Sequence, residues 1–343
     1  MTGEPVTRLP GASVVICAYT HERWADTVVA VESVRAQDVA AEVIVVVDHN
    51  PALLARARRA LPRHVRVLRN AGRRGLSGGR NTAVSAASGE VVVFLDDDAA
   101  ARPGWLRALL TPYADPDVVA VGGVAYPRWP RMRPGILPAS GSAASGELDW
   151  IVGCTYAGQS SGRAEVRNLM GCSMSVRREA FAHVGGFAED LGRVGRTPLG
   201  CEETEFCIRL RQAYRRTGRA ARIVLEPAAK VDHRVSPDRT GWAYLRRRSW
   251  SEGMSKATVA RRVGTDAALS TERTYVTRIL PRAVIRELWA GRPASAAAIV
   301  TALLCTTAGF ARGAASAAAG RPRTGVRPPA AVAVAEPYQA RCA

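Results

Sequence analysis

The 343-residue chain is strongly basic, with 48 Lys and Arg residues against 30 Asp and Glu residues and a formal net charge of +18. Hydrophobic residues make up 47% of it, which excludes general disorder. The length allows one large domain with an extension, or two domains. Lys230 and Lys256 are the only lysines, so arginine carries the positive charge. Such a surface favours anionic partners: sugar nucleotides, nucleic acid or acidic membrane lipids.

Seven cysteines are scattered along the chain without a Cys-x-x-Cys pair, and no apolar leader follows Met1. This odd count in a long chain indicates a reducing cytoplasm and argues against a disulfide framework or a zinc site. We therefore expect a cytoplasmic protein whose cysteines are mostly small core residues.

Segments typical of strands and helices alternate through the first half of the chain. Apolar runs predict buried strands, and apolar residues at helical spacing or good helix formers predict helices. Strands are predicted at 13–18, 42–47, 65–68, 91–95 and 118–124, and helices at 24–37, 52–61, 80–87 and 103–113. This alternation indicates βαβ units and a mostly parallel sheet, so the predicted fold class is α/β.

The fourth predicted strand runs directly into three carboxylates, Asp96, Asp97 and Asp98. Ligands of open α/β sheets bind at the carboxyl ends of the strands. Adjacent carboxylates repel one another unless a cation lies among them, and hard divalent metals prefer oxygen ligands. The sequence therefore predicts a Mg²⁺ or Mn²⁺ site here, of the kind that usually carries phosphate. A solvated acidic turn is the alternative.

The second half of the chain is organised differently. Residues 126–165 are rich in Pro, Gly and Ser and predict a long loop region that could frame a substrate. Apolar patterning resumes at 167–176, and a helix is predicted at about 203–216. Residues 236–278 are basic and contain tryptophan, the chain is Ala-rich from Pro293, and 320–343 is predicted to be disordered.

Glycine-rich phosphate-binding loops are missing from the sequence. No Gly-x-Gly-x-x-Gly follows the first strand, and no Gly-x-x-x-x-Gly-Lys-Ser/Thr occurs anywhere. The dinucleotide-binding Rossmann and P-loop interpretations therefore lose their phosphate-binding element. What remains is a nucleotide site built from carboxylates and a metal.

A series of motifs over about residues 10–255 resembles the family 2 glycosyltransferases of GT-A fold. The motifs are Val14-Val15-Ile16-Cys17-Ala18-Tyr19, Val45-Val46-Val47-Asp48, Gly79-Arg80-Asn81, Phe94-Leu95-Asp96-Asp97-Asp98, Asn168-Leu169-Met170-Gly171-Cys172-Ser173-Met174-Ser175, Val184-Gly185-Gly186-Phe187, Cys201-Glu202-Glu203-Thr204-Glu205-Phe206 and Val231-Asp232-His233. The resemblance implies a catalytic domain at 10–235, with a nucleotide-binding half at about 10–125 and an acceptor half at about 126–235. A basic, Ala-rich helical extension follows at 236–319.

The resemblance also assigns roles in binding the donor, a nucleotide-diphospho-sugar. It places Ala18 and Tyr19 at the nucleotide, and Asp48 looks like the family carboxylate that contacts the nucleoside. Arg80 would lie beside the nucleotide near a helix start, where a guanidinium suits a diphosphate or a carbonyl-rich base. Two alternatives stay open: Asp48 as an ordinary turn residue at a strand end, and Arg80 as a surface residue.

The Asp-x-Asp pair of the family corresponds to Asp96 and Asp98. The resemblance implies that Asp98 binds the cation, which bridges the donor diphosphate, and that Asp96 takes ribose hydroxyls, with Asp97 the less defined member of the nucleotide site. His233 matches a histidine that often completes the metal shell, and neutral imidazole is an acceptable Mn²⁺ ligand. A structural histidine is the alternative.

The predicted general base lies at a helix start. The family signature near the acceptor is Glu-Asp, whereas this chain has Glu202-Glu203. By position Glu203 would remove the acceptor hydroxyl proton, helped to stay ionised by the helix N-terminus, with Glu202 as its rival. A capping role for the pair is the alternative. A single base opposite the nucleotide implies inversion at the anomeric carbon.

Some positions depart from the family pattern. Processive members carry Gln/Arg-x-x-Arg-Trp, and the nearest segment here is Arg246-Arg247-Arg248-Ser249-Trp250. Because serine rather than arginine precedes the tryptophan, the sequence favours transfer of one sugar over polymer synthesis. That segment either covers the diphosphate or forms a surface helix. Cys17-Ala18 and His49-Asn50 replace the usual Pro-Thr and Asp-Gly, so the nucleotide base, the donor sugar and the acceptor, whether small molecule, glycan or lipid-linked, stay open.

Two other functions were weighed. A sugar-nucleotide-forming nucleotidyltransferase needs a Gly-rich loop after the first strand, but the loop at 19–23 has no glycine. A nucleic-acid-binding protein is suggested by charge alone, without a recognition helix, zinc spacing or aromatic RNA platform, so no nucleic-acid partner is predicted.

The uncharged stretch from Ala294 to Ala311 is bracketed by Arg292 and Arg312. It is borderline in length and weakly hydrophobic for a spanning helix. We expect it to pack on the catalytic domain or a dimer partner, or to rest on the inner face of an anionic membrane. At most a peripheral attachment is predicted.

Overall fold

The computed structural model describes residues 8–139, 145–195 and 197–318, and the disorder predicted at 320–343 lies outside them. The first half alternates strands and helices as predicted. Its elements are β1 Ala12–Ala18, α1 Trp24–Arg35, β2 Glu42–Val47, α2 Pro51–Ala60, β3 Val65–Arg69, α3 Leu76–Ala86, β4 Val91–Asp96, β5 Ala99–Ala101, α4 Trp105–Leu110 and β6 Val118–Arg128.

The second half completes the sheet and adds a helical region. Its elements are β7 Ala164–Glu165, β8 Ser173–Arg177, α5 Arg178–Val184, α6 Glu202–Arg216, β9 Arg222–Arg234, α7 Trp242–Val263, α8 Thr265–Ala268, α9 Ser270–Thr274, a π-helical turn Tyr275–Ile279, α10 Leu280–Trp289 and α11 Pro293–Ala318.

The described strands form one sheet in the order β3-β2-β1-β4-β8-β6-β9-β5, with β7 on β9. Pairing is parallel from β3 to β4 and again between β6 and β9. The strand β8 is antiparallel to both of its neighbours, so the sheet is mixed beyond β4. The α/β fold class is confirmed, and the antiparallel insertion is what the first-half pattern did not predict.

Two element boundaries differ from the sequence prediction by four residues. The helix α3 begins at Leu76 rather than at Arg80. A Cβ on Gly78 would lie 2.0 Å from the backbone oxygen of Arg73, so this first turn needs glycine. The strand β6 continues to Arg128, into the predicted loop region, because it stays paired with β9 as far as Arg234.

The parallel register brings the functional strand ends to one edge of the sheet. Cys17 of β1 is level with Val46 of β2 and with Asp96 of β4. These strands are buried on both faces, as continuous apolar runs require. Loops leaving β1, β2 and β4 therefore converge at this edge, where ligands of α/β sheets bind.

The C-terminal helices share a core with the segment between β6 and β7. One apolar cluster joins Leu148 and Ile151 to Leu245 of α7, Leu280 of α10 and Ile299 of α11. The helices α7 and α11 approach at glycines: a Cβ on Gly309 would lie 2.2 Å from the backbone oxygen of Trp250. The uncharged stretch therefore packs on preceding parts of the same chain in this structure.

Replacing Gly309 with alanine should therefore destabilise the protein. The added methyl group forces the α7 and α11 backbones apart, and overpacking of this kind costs about 1–3 kcal/mol of unfolding free energy. Thermal unfolding followed by circular dichroism measures the loss. Gly135→Ala is the matched control, because nothing lies within 4 Å of the Cβ that it would add; equal stability of the two variants would contradict the packing argument.

Candidate active site

One cavity of about 490 Å³ lies at the strand-end edge and extends under the C-terminal helices. Most of the site residues predicted from the sequence line it: Ala18, Tyr19, Asp48, Arg80, Asp96, Asp97, Glu202, Glu203 and His233. Asp98 is buried and reaches the site through its contacts with His233 and Arg23. The structure therefore brings the predicted residues together, from both halves of the chain.

Three of these residues form a cluster with the donor atoms of a metal site. The ligand atoms of Asp96, Asp98 and His233 all lie within 4.8 Å of one another. His233 is placed there by the short strand β5, which follows the acidic strand end and pairs Ala99 with His233. Two carboxylates and one imidazole suit Mn²⁺ or Mg²⁺, so the donor set fits the predicted cation.

The charges around Asp98 are tightly balanced. Its Oδ2 lies 2.9 Å from Nη1 of Arg23 and 3.7 Å from Nη2 of Arg239, and its Oδ1 lies 3.3 Å from Nε2 of His233. Burial opposes ionisation, but His233 and the two arginines outweigh it and hold the pKa of Asp98 well below its ordinary value. Burial would lower the pKa of His233, yet Asp98 raises it to about 10.

The middle carboxylate, Asp97, has a different environment. Nη1 of Arg23 lies 2.9 Å from its Oδ1, while its Oδ2 is buried without a hydrogen-bond partner among the described residues. Burial raises the pKa of Asp97 to about 7. The negative charge of Asp98 adds to this rise, whereas Arg23 opposes it. The three adjacent carboxylates are thus neutralised by neighbouring side chains, and a solvated acidic turn does not describe them.

Asp48 is held in place by two groups from the loop between β3 and α3. Nδ2 of Asn70 donates to its Oδ1 at 2.6 Å, and the backbone N–H of Gly75 donates to its Oδ2 at 3.0 Å. The residue is half-buried and faces the cavity near Tyr19. This carboxylate has a fixed orientation, and each oxygen retains accepting capacity for nucleoside N–H or O–H groups.

Arg80 lines the cavity but is almost fully buried, with only 2% of its surface exposed. Its Nη1 donates to Glu202 at 2.9 Å, its Nη2 donates to the Gly171 carbonyl at 3.0 Å, and it lies 3.6 Å from Asp96. Its guanidinium is also within 5.5 Å of the rings of Phe94 and Phe187. The geometry favours a positioning role over the nucleotide contact that the sequence predicted.

The two adjacent glutamates at the start of α6 face different surroundings. Glu202 is buried and paired with Arg80. Glu203 is half-buried, lines the cavity and forms no ion pair with a lysine or arginine of the described residues. Burial raises the pKa of Glu203 well above its ordinary value, and the charge of Glu202 adds to this. A carboxylate in this state is a stronger base than a solvated one.

Basic residues that the sequence did not single out also surround the donor side of the cavity. Arg23 and Arg239 bind the acidic strand end, and Arg193 lines the cavity. Burial lowers the pKa of Arg193, and Arg239 and Arg248 add to that effect, but an arginine stays charged. In a sequence this rich in arginine no spacing distinguishes them; only the fold shows which ones converge.

Similarity to known proteins agrees with this geometry. The family model described as "Glycosyl transferase family 2" matches residues 13–185. The glucosyl-dolichyl phosphate glucuronosyltransferase of Haloferax volcanii is 35% identical over 248 residues, which cover 71% of this chain and 75% of that protein. The pre-mycofactocin glycosyltransferase of Mycobacterium tuberculosis is 30% identical, over 49% of this chain and 32% of that protein.

Solved structures share the fold. A mannosyltransferase from Pyrobaculum calidifontis, solved with GDP-Man and Mn²⁺, aligns with a TM-score of 0.55 at 18% identity over 88% of each chain. GalNAc-T7, solved with UDP, GalNAc and Mn²⁺, aligns with a TM-score of 0.50 at 15% identity over 83% of this chain and 58% of that one.

The fold is the GT-A fold of these glycosyltransferases. The chain belongs to glycosyltransferase family 2. It is an enzyme, and the nucleotidyltransferase and nucleic-acid-binding alternatives are set aside. The Asp96, Asp98 and His233 cluster could bind the metal that such transfer uses.

Proposed function

We propose that the protein transfers one sugar from a nucleotide-diphospho-sugar to a hydroxyl of a lipid-linked acceptor, with inversion at the anomeric carbon. The observation that carries this proposal is that one cavity is lined both by Asp96 and His233 of the candidate metal cluster and by Glu203. The name of the Haloferax volcanii relative, which is a glucosyl-dolichyl phosphate glucuronosyltransferase, supports a lipid-linked acceptor.

The donor is assigned to the strand-end side of the cavity. We assign the nucleoside to Asp48, Ala18 and Tyr19, and the ribose to Asp96. Arg193 and Arg239 would bind the diphosphate, because guanidinium groups match phosphate oxygens in geometry and charge. We assign Arg80 as a positioning residue, because it contacts Asp96 and Glu202 at the same time.

Asp96, Asp98 and His233 would hold Mn²⁺ or Mg²⁺. The cation, when bound, neutralises negative charge on the departing nucleoside diphosphate. His233 must give up its proton to become a ligand, and its raised pKa of about 10 reflects its interactions with Asp98 and Cys154. Arg23 balances the charge of Asp97 and Asp98.

Glu203 is assigned as the general base. It accepts the acceptor hydroxyl proton as that oxygen attacks the anomeric carbon from the face opposite the nucleotide, and the configuration inverts. Arg80 binds Oε1 of Glu202, so we assign Glu202 to positioning Arg80 rather than to taking the proton. The N-terminus of α6 favours the ionised form of Glu203 and partly offsets the burial that raises its pKa.

A panel of UDP-, dTDP- and GDP-sugars tests the donor part of the proposal. A ligand that binds only the native state raises the unfolding temperature by mass action. We expect at least one member to do so with Mn²⁺ or Mg²⁺ present and not with a chelator. Stabilisation by none of them, or equal stabilisation with the chelator, would contradict it.

We further propose that the protein attaches peripherally to the cytoplasmic face of an anionic membrane. The helix α11 contains a stretch long and apolar enough to cross a membrane, Pro293–Ser316 with a mean hydropathy of 1.7. Its buried side packs on α7 and α10, and its outer side exposes Leu304. On α10, Ile285, Leu288 and Trp289 are more than half exposed at helical spacing. Apolar side chains beside exposed Arg278 and Arg282 suit an interfacial surface.

Fractionation of cells that produce the protein tests this attachment. We expect high salt or alkaline carbonate to release it from the membrane fraction, because electrostatic attraction to anionic lipids is screened by salt. The change Trp289→Glu should shift the protein toward the soluble fraction. Retention until detergent is added would show that α11 spans the bilayer.

A further inference from the structure

The cavity does not end at the proposed base. Beyond Glu203 it continues as a chamber between α7, α9, the π-helical turn, α10 and α11. Its walls there are mainly apolar: Leu269, Val276, Leu280, Ala302, Leu303 and Phe310. We call this part the apolar arm. Apolar walls of this kind favour an apolar occupant over water.

A row of alternating charges lines the same cavity. Nη1 of Arg248 donates to Glu252 at 2.7 Å, Lys256 lies 3.4 Å from Glu252 and also bonds Glu272, and Nη1 of Arg167 donates to Glu272 at 2.6 Å. We call these five residues the charge ladder. All five line the cavity, although they come from α7, α9 and the segment before β8.

The charge ladder begins beside the proposed base. The thiol of Cys201, two residues before Glu203, donates to Oε1 of Glu252 at 3.3 Å. Glu252 is also close enough for its charge to raise the pKa of Glu203. The ladder residues keep 11–21% of their side-chain surfaces exposed. They therefore offer both donors and acceptors to a ligand that enters the cavity.

We infer that the charge ladder and the apolar arm together form the acceptor subsite. They bind an amphiphile whose hydroxyl-rich sugar head lies on the ladder and whose hydrocarbon tail fills the arm. Each sugar hydroxyl both donates and accepts, so alternating ammonium, guanidinium and carboxylate groups match it. A tail in the arm holds the head at Glu203 and leaves the donor side free. This inference rests on the proposed function and adds where the acceptor binds and what chemistry it needs.

Direct binding tests the subsite without requiring turnover. Isothermal titration calorimetry of the full chain measures the affinities for methyl and n-octyl β-glucoside below the micellar concentration. The two ligands share the glucose group and differ only in the length of the alkyl chain. We expect the octyl compound to bind with a stoichiometry of one and at least about tenfold more tightly, since each buried methylene contributes to affinity. Equal affinities, or octyl binding at many sites, would overturn the inference.

Two adjacent leucines give a matched pair of variants for the apolar arm. Leu303 lines the cavity, whereas Leu304 is 63% exposed on the outer side of α11. We expect Leu303→Gln to abolish the difference between octyl and methyl compounds and Leu304→Gln to keep it. An unchanged difference in a folded Leu303→Gln protein would contradict the assignment.

The charge ladder is tested separately from the arm. Glu272→Gln keeps the shape of the side chain and removes one acceptor charge, so it should weaken both glucosides by a similar factor of about ten. A ladder that only clamps helices together would lower the unfolding temperature and leave both affinities unchanged, which would overturn the head-group role.

A labelling experiment needs no variant to fold. A diazirine at the end of the octyl chain should crosslink the unmodified protein within the peptides of α10 and α11. Labelling confined to other elements would overturn the placement of the tail. Failure of the proposed function is distinguishable, because it would appear as loss of metal-dependent donor binding whatever the glucosides do.

Discussion

Asp98→Asn should abolish metal-dependent donor binding while the protein stays folded. The amide keeps the size of the side chain but removes the charge that a cation would share with Asp96 and His233. A bound metal stabilises negative charge by several kcal/mol, so its loss should lower the affinity for the donor about a hundredfold or more. Thermal unfolding with donor and Mn²⁺ measures it, because a ligand at 100 times its Kd adds about 2.7 kcal/mol of stability that the variant should lose.

Asp97→Asn is the matched control for this change. Its carboxylate pairs with Arg23 but lies outside the cluster of Asp96, Asp98 and His233. We expect Asp97→Asn to retain most of the metal-dependent stabilisation. If Asp98→Asn binds donor as tightly as the unmodified protein, with and without chelator, the metal-site assignment is wrong.

Glu203→Gln should lower turnover by about 10²–10⁴-fold, which is the usual contribution of a general base. The amide is nearly isosteric but cannot accept the acceptor proton. Donor binding should survive, because the donor is assigned to the opposite side of the cavity. Release of nucleoside diphosphate measures turnover, and thermal unfolding with donor and metal verifies that the donor site is intact.

The pH dependence of turnover provides a second readout of Glu203. Its folded-state pKa lies well above the ordinary glutamate value, because burial and Glu202 both disfavour the charge. The active, ionised form is therefore lost as the pH falls through this raised pKa, and the acid limb of the profile should lie above the range of a solvated glutamate.

The adjacent glutamate is the control for the base assignment. Glu202→Gln removes the partner of Arg80, so it should disturb the position of Asp96 and weaken donor binding together with turnover. If Glu202→Gln loses turnover with intact donor binding while Glu203→Gln remains active, the assignment must move by one residue.

The convergence of acidic residues at the strand-end edge was largely predictable from the sequence. A buried strand that ends in carboxylates can be recognised from the apolar run and its boundary, and parallel pairing then places Asp48 and Asp96 at one edge. The positions of Glu203 and His233 came from the resemblance to a family, because their placement depends on contacts across the chain. The short strand β5 that pairs with His233 has no distinctive pattern in three alanines.

Other features required the folded structure. Arg80 was expected beside the nucleotide, but it is buried between Phe94 and Phe187 and binds Glu202, a contact between residues 122 positions apart. The charge ladder is equally invisible in the sequence: Arg167, Glu272 and the charged residues of α7 meet only because the C-terminal helices close over the cavity. Helical spacing predicts which residues share a face, but not which element that face meets.

Proton NMR of the transfer reaction tests the central claim most directly. The reaction is started with an α-linked sugar nucleotide that stabilises the protein, and the anomeric signals are followed with Mn²⁺ and with a chelator. We predict that the donor signal is replaced first by a sugar of β configuration, and only when the metal is present. A product that first appears with the α configuration, or donor consumption that continues unchanged in the chelator, would contradict metal-assisted transfer with inversion.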